Sequence, residues 1–162
     1  MNTRMLIPGT LLALTAFAAL KPSAAARSGE AAVREGPRGG PCFTIAAREE
    51  RLGTPDFRAL TVSDGARLLW KMSVPAERSF PLNASMCVPY GGRVASLPRT
   101  QAAELETGRV YTLHIDARPP RGRGMPSAYE ARFCLARRPG GGTLVRQIAA
   151  ADREGGNLYG CR

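Results

Sequence analysis

Apolar and polar positions alternate with a period of two along most of the chain beyond residue 40. In "CFTIAAR" (Cys42 to Arg48), Phe43 and Ile45 point one way, Cys42 and Thr44 the other. Side chains of a β-strand alternate between faces, so this pattern predicts a strand. "FRALTV" (Phe57 to Val62) and "RLLWKMSV" (Arg67 to Val74) predict a second and third. They flank Ser63-Asp64-Gly65-Ala66, and an Asp-Gly pair between two such runs signals a hairpin, because Gly tolerates the positive φ of the turn. Leu68, Trp70, Met72 and Val74 are expected on one face of the third strand, with Trp70 as core filler and Pro75 as its stop.

Further on, "SFPLNASMCV" (Ser79 to Val88) reads as extended but broken by prolines. "RVYTLHIDAR" (Arg109 to Arg118) is the clearest strand, with Tyr111, Leu113 and Ile115 inward and Val110, Thr112, His114 and Asp116 outward. "AYEARFCLAR" (Ala128 to Arg137) repeats the alternation with Tyr129, Ala131, Phe133 and Leu135 inward. "TLVRQIAA" (Thr143 to Ala150) reads as a last strand or short helix, after the turn "RPGGG". A helical turn is expected at most around "TQAAELE" (Thr100 to Glu106). About seven short strands with turn signals between them predict an all-β domain, a single antiparallel β-sandwich immunoglobulin-like in architecture.

The first 26 residues have a different pattern. Arg4 gives a short positive start, Met5 to Leu20 is mostly apolar, and Ala24-Ala25-Ala26 fits the A-x-A cleavage rule of a secretory signal. As a membrane anchor the run is short of the ~20 residues a spanning helix needs, and Pro8, Gly9 and Thr10 interrupt it. The expected division is residues 1–26 signal peptide, 27–40 a flexible Gly/Pro-rich leader, and 41–162 the β domain. Cleavage after Ala26 would leave 136 of the 162 residues, one domain with its own core. The expected location is periplasmic or secreted, with no transmembrane segment in the mature chain and no cysteine near the cleavage site to carry a lipid.

Removing Arg4 and Lys21 with the signal takes the formal net charge from +10 to +8, and Lys71 is then the only lysine. Such a chain is drawn to anionic partners. The cations concentrate at Arg118, Arg121 and Arg123 in a Pro/Gly loop, joined by Arg137 and Arg138 on the next connection. Guanidinium forks recognise carboxylates and phosphates. The plainer reading is a loop kept soluble by arginine. Nucleic-acid binding wants aromatic side chains among the cations, and neither loop supplies one.

The four cysteines, Cys42, Cys87, Cys134 and Cys161, are even in number, which in an exported chain argues for two disulfides. Of the three pairings open to four cysteines, strand parity disfavours Cys42 with Cys134, since both are out of phase with their inward neighbours. Local pairing, Cys42 with Cys87 and Cys134 with Cys161, is preferred. The immunoglobulin pattern wants Tyr two residues before the second Cys, and Arg132 stands there. No cysteine spacing is of the C-x-x-C kind and there is one histidine, so no metal site is expected.

Nor is catalysis. His114 is the sole candidate base for a Ser-His-Asp triad, it sits mid-strand on the polar face, and no G-x-S-x-G elbow exists. Paired carboxylates for glycosidase chemistry cannot be told from background among thirteen acids. No cofactor motif is present. Asn83-Ala84-Ser85 fits a glycosylation acceptor by chance. Tyr90, in the turn "PYGG", is a candidate partner-binding residue.

The order of "CFTI", "LNASMCVPYGG", "LETGRVYTLHI" and "YEARFCLA", with Leu105, Gly108 and Tyr111 in an L..G..Y arrangement, resembles the type VI secretion immunity periplasmic lipoproteins over about Pro41 to Ala136. The chain differs in lacking a lipid-bearing cysteine and in carrying the pair Cys134 and Cys161. The resemblance implies a small β-rich protein that binds and neutralises a delivered toxin. The expectation is therefore a non-catalytic binding protein whose partner is an acidic toxin or an envelope component, met by Arg118, Arg121, Arg123 and Tyr90. The alternative is a structural or cell-wall-associated binding module.

Overall fold

In a computed structural model, residues 27–92, 97–120, 124–149 and Cys161 are described. The expected signal peptide, Arg121, Arg123 and most of the tail lie outside them. Eight strands and one short helix follow in order: β1 (Gly29–Glu35), β2 (Pro41–Ile45), α1 (Ala47–Glu50), β3 (Asp56–Asp64), β4 (Arg67–Ser73), β5 (Val88–Pro89), β6 (Val110–Arg118), β7 (Ala128–Arg137) and β8 (Thr143–Ile148). They form one sheet in the order β4-β3-β6-β7-β1-β2-β5, with β8 also on β7. Among the described residues two facing antiparallel sheets are not seen. The ladder is continuous and mixed, because β1 joins β7 in parallel, and it curls into a half-barrel.

The curl follows from where the largest side chains sit. Trp70 of edge strand β4 lies 6.3 Å from Phe43 of β2 and 5.4 Å, edge-on, from Tyr90 just past β5. The two edges of the sheet thus meet through aromatic side chains over a shared core. Phe133 joins it at 5.5 Å from both Phe43 and Tyr111. Trp70, Tyr111, Tyr129, Phe43, Phe57 and Phe133 are all buried. Each tilted or T-shaped pair adds about 0.5–1.5 kcal/mol beyond the area it buries.

The flexible leader is not observed over residues 29–35. They form β1, inserted between β7 and β2. Its inward residues are Gly29, Ala31 and Val33, so small that the alternation hardly registers as hydrophobic, and the absent side chain at Gly29 leaves room for the Tyr129 ring. The ordered fold accordingly begins before Pro41. The other side of β7 is taken by β6, while β8 follows β1 on the same side, along the C-terminal half of β7. Where β1 and β8 part, the Gln147 side chain spans them: its Oε1 accepts from Val33 N–H at 2.7 Å and its Nε2 donates to Ala31 O.

Two register shifts change which residues face the core. Val62 pairs with Trp70, but Ser63 pairs with Leu68, so Leu69 is the extra residue of a β-bulge. A bulge reverses the alternation beyond it. Leu69 is therefore buried and Leu68 half-exposed, where strict alternation placed Leu68 inward. A second shift between Phe57 and Ala59 lets Phe57, Leu60 and Val62 all face inward despite their mixed parity. The expected Asp-Gly hairpin is present, with Gly65 at φ +57° between paired Asp64 and Arg67. Residues 128–137 and 143–148 are strands as expected.

Residues 100–106 are not helical. They run along the outer edge of β4, where Thr100 N–H donates to Lys71 O at 2.9 Å and Ala103 N–H to Leu69 O at 3.0 Å. An edge strand's unpaired backbone groups are thereby covered. The strand expected over 42–48 ends at Ile45, because α1 follows. Within α1, Glu50 accepts from Ala84 N–H at 3.0 Å, tying the helix to the proline-broken segment.

Both disulfides take the preferred pairing, Cys42–Cys87 and Cys134–Cys161, with Cα separations of 5.3 and 5.7 Å. Parity explains the second. Cys134 faces away from the main core and, with Ile148, Cys161 and partly buried Val110, makes a small apolar cluster on the back of the sheet. Cys42 also leaves the main core face. It is buried all the same, because residues 83–89 cover that side of β2, where Thr44 Oγ1 donates to Asn83 O.

Candidate functional site

Arg118 stands exposed at the C-terminal end of β6, opposite Asp56 of β3. Arg121 and Arg123 lie outside the described residues. Arg137 and Arg138 do not join Arg118. β6 and β7 are antiparallel, so Arg118 lies at one end of the sheet and the exit from β7 at the other. Nine residue steps at ~3.3 Å each separate the two ends of β7 by about 30 Å. The single arginine cluster read from the sequence is thus two separate sites. At the β7-exit end Arg138 is already paired with Glu35 of β1, and nearby Arg109 holds Asp64 at 2.8 Å and Glu106 at 2.9 Å. Arg38, Arg118 and Arg137, by contrast, have no carboxylate partner among the described residues.

Tyr90 is less open than the turn sequence implies. Its ring is held between Trp70 and Phe43, and its hydroxyl donates to Ala103 O at 2.8 Å. Burial, then the neighbouring Tyr111, pushes its hydroxyl up to about 12. One side of Tyr90 nonetheless lines a groove of about 400 Å³. The turn Gly36-Pro37-Arg38-Gly39 forms one wall, and Cys87, Pro89 and Tyr90 the other. A second hollow of about 570 Å³ lies beside Gly91, Leu97 and residues 99–102.

His114 lies on the outer face of β6, in a row with Thr61 of β3 and Glu130 of β7. Its Nδ1 is 3.1 Å from a Glu130 oxygen and its Nε2 3.1 Å from an Asp116 oxygen. The two carboxylates meet opposite edges of the ring, so one cation cannot be chelated by all three groups. Among the described residues no group of three His, Cys, Asp or Glu side chains converges to hold a metal ion. The histidine stands on an open sheet surface and not in a cleft.

Asn83 is occupied in a turn. Its Oδ1 accepts from Ser85 N–H and Met86 N–H, each at 3.1 Å, and from the Ser85 hydroxyl at 2.6 Å. This use of Asn to mimic a backbone turn accounts for the acceptor-like triplet.

One cluster has no counterpart in the sequence reading. Glu49 of α1 is buried, and its carboxylate accepts from the Arg27 guanidinium at 2.9 Å and from Glu30 N–H at 3.2 Å. Arg48 reaches Glu30 at 2.7 Å. A buried charge survives only when paired and hydrogen-bonded, and here the pairing fastens the start of β1 to the helix. Close by, Tyr129 is buried with no hydrogen-bond partner for its hydroxyl among the described residues, and desolvation pushes its pKa above the ordinary tyrosine value.

Comparison with protein-family models, curated proteins and solved structures finds no match to this chain. Among the described residues no helix is long and apolar enough to cross a membrane.

Proposed function

We propose that this is an exported, non-catalytic binding protein of the bacterial periplasm, acting in the manner of the type VI immunity proteins by covering an acidic surface of a delivered toxin. The observation that carries this reading is the division among its arginines. Several are neutralised in place, Arg109 by Asp64 and Glu106 and Arg138 by Glu35, while Arg38, Arg118 and Arg137 stand exposed on turns and strand ends without an acid. A two-disulfide scaffold presents these cations at fixed positions, and opposite charge on a partner speeds encounter and selects against wrong partners. The disulfides suit an oxidising compartment.

The test is cross-linking in intact cells, followed by mass spectrometry of the attached peptides and of the protein's own N-terminus. The expected result is one dominant acidic protein joined near the arginine-bearing turns, and an N-terminus at Arg27 in the periplasmic fraction. Attachment to cell-wall material alone would instead support an envelope module. A cytoplasmic protein retaining Met1 would overturn the reading.

A further inference from the structure

The groove beside Tyr90 has two walls set independently of any partner. On one side the β1–β2 turn closes through Gly36 N–H to Gly40 O at 2.9 Å and Gly39 N–H to Gly36 O at 3.0 Å, with Gly39 and Gly40 at φ +74° and +76°. On the other side Cys87 is bonded to Cys42, Pro89 pairs with Cys42 in the ladder, and Tyr90 N–H donates to Pro41 O at 2.9 Å. Arg34 ties the walls together, its guanidinium donating to Ser85 O at 2.9 Å and Met86 O at 2.6 Å. That arginine is therefore engaged. Arg38, at the apex of the turn, is the charged residue lining the groove and is exposed with no carboxylate partner among the described residues. The acid closest to it in sequence, Glu35, is taken by Arg138.

We infer that this groove holds an extended acidic segment of a protein partner. A side-chain carboxylate meets the Arg38 fork, and the adjoining apolar side chain lies on Pro37, Pro89 and the free side of Tyr90. This rests on the binding function proposed above and gives that function a site distinct from Arg118. Charge complementarity selects the occupant: the lining carries a cation and no acid, and guanidinium pairs with carboxylate through two parallel hydrogen bonds. A nucleic acid or polyphosphate needs several cations in line to neutralise successive phosphates, and the groove lining supplies one, Arg38.

The experiment is an amide-resolved NMR titration of the mature protein with blocked hexapeptides, acetylated and amidated, of alternating Glu and Leu or of Gln and Leu. With the Glu peptide, the expected shifts centre on Gly36, Gly39, Cys87 and Tyr90. Arg38→Ala weakens binding by about tenfold or more, the value of a charge-assisted hydrogen-bonded pair. Because Arg38 contacts no acid in the described fold, the rest of the variant's spectrum stays in place. Arg38→Glu transfers the preference to a Lys and Leu peptide. Equal binding of the Gln peptide, unchanged affinity in Arg38→Ala, or shifts produced by polyphosphate but not by the Glu peptide would overturn the inference. Shifts centred on Arg118 and Ala128 would overturn it while leaving the broader binding function standing. A Glu peptide that moves no amide removes the groove, and the cross-linking result then decides the function separately.

Discussion

The centre of the sheet and its seam are held by different means. At the centre, β3, β6 and β7 pair over long antiparallel ladders, and β6 and the first part of β7 contribute alternate residues to the core. At the seam, β4 and β5 do not pair. Trp70, Phe43 and Tyr90 close the gap, residues 97–103 run along β4 as a strap, and Cys42–Cys87 pins the β5 side. A ladder spreads its stabilisation over many bonds, whereas the seam concentrates it in a few side chains. Substitutions at the seam should therefore cost more per atom removed, and the seam should open first.

Trp70→Ala is the most disruptive test. It removes the ring that both edges share, and a loss of about 3–5 kcal/mol is expected, measured by denaturant unfolding. A loss under about 1 kcal/mol would show that the ladders alone hold the curl. Replacing both Cys42 and Cys87 by Ala comes next. Closing a loop of 45 residues is worth about 4 kcal/mol by chain entropy and one of 27 about 3.5, so entropy hardly separates the two disulfides. The seam argument does separate them. Losing Cys42–Cys87 should also speed hydrogen exchange in β5 and the strap, whereas losing Cys134–Cys161 should leave both protected.

Tyr90→Phe sharpens the comparison at the level of one hydroxyl. The bond to Ala103 O is worth about 1 kcal/mol, and its loss loosens the strap without emptying the core. The pH dependence has a definite sign. Folded Tyr90 ionises near 12 against 10.0 when unfolded, so the folded form keeps its proton longer. The associated stability is complete below pH 10 and lost as pH rises towards 12. Alkaline unfolding should be less steep in Tyr90→Phe; an unchanged slope would place the effect in Tyr111 and Tyr129, whose pKa burial also raises. The smallest effect is expected from Arg118→Ala, at the exposed end of a central strand. A change within about 0.5 kcal/mol fits a side chain that holds nothing in the fold, and a large drop in melting temperature would make it structural.

Much of the central sheet was legible because in β6 and the first part of β7 the period is unbroken. Tyr111, Leu113, Ile115, Tyr129 and Phe133 all face the core as their alternation requires. The seam was not legible, and for physical reasons. The bulge at Leu69 reverses the phase within one strand, so counting by twos put Leu68 in the wrong place. β1 hides behind Gly29 and Ala31, whose burial depends on strands far along the chain. Parity set aside Cys42 with Cys134, because it asks only which face a residue takes, and the preference for local pairing then gave the two bonds observed. Of the candidate site, Arg118 was legible as an exposed cation. Its supposed neighbours Arg137 and Arg138 were misplaced because sequence proximity across a hairpin strand is distance in space. Arg38 was passed over since a single arginine in "GPRGG" carries no pattern; its setting comes from Cys87 and Tyr90, some fifty residues later.

The position of β1 also governs when the molecule can assemble. Its hydrogen-bonded neighbours are β2, which follows at once, and β7, while Val33 waits for Gln147, 114 positions on. A chain that emerges amino-terminus first therefore carries an early strand with an open edge through nearly all of its synthesis. Contacts of such long range form late and slowly. Until β7 and β8 arrive, the inner edge of β1 has no strand to pair with, and the closed sheet cannot form.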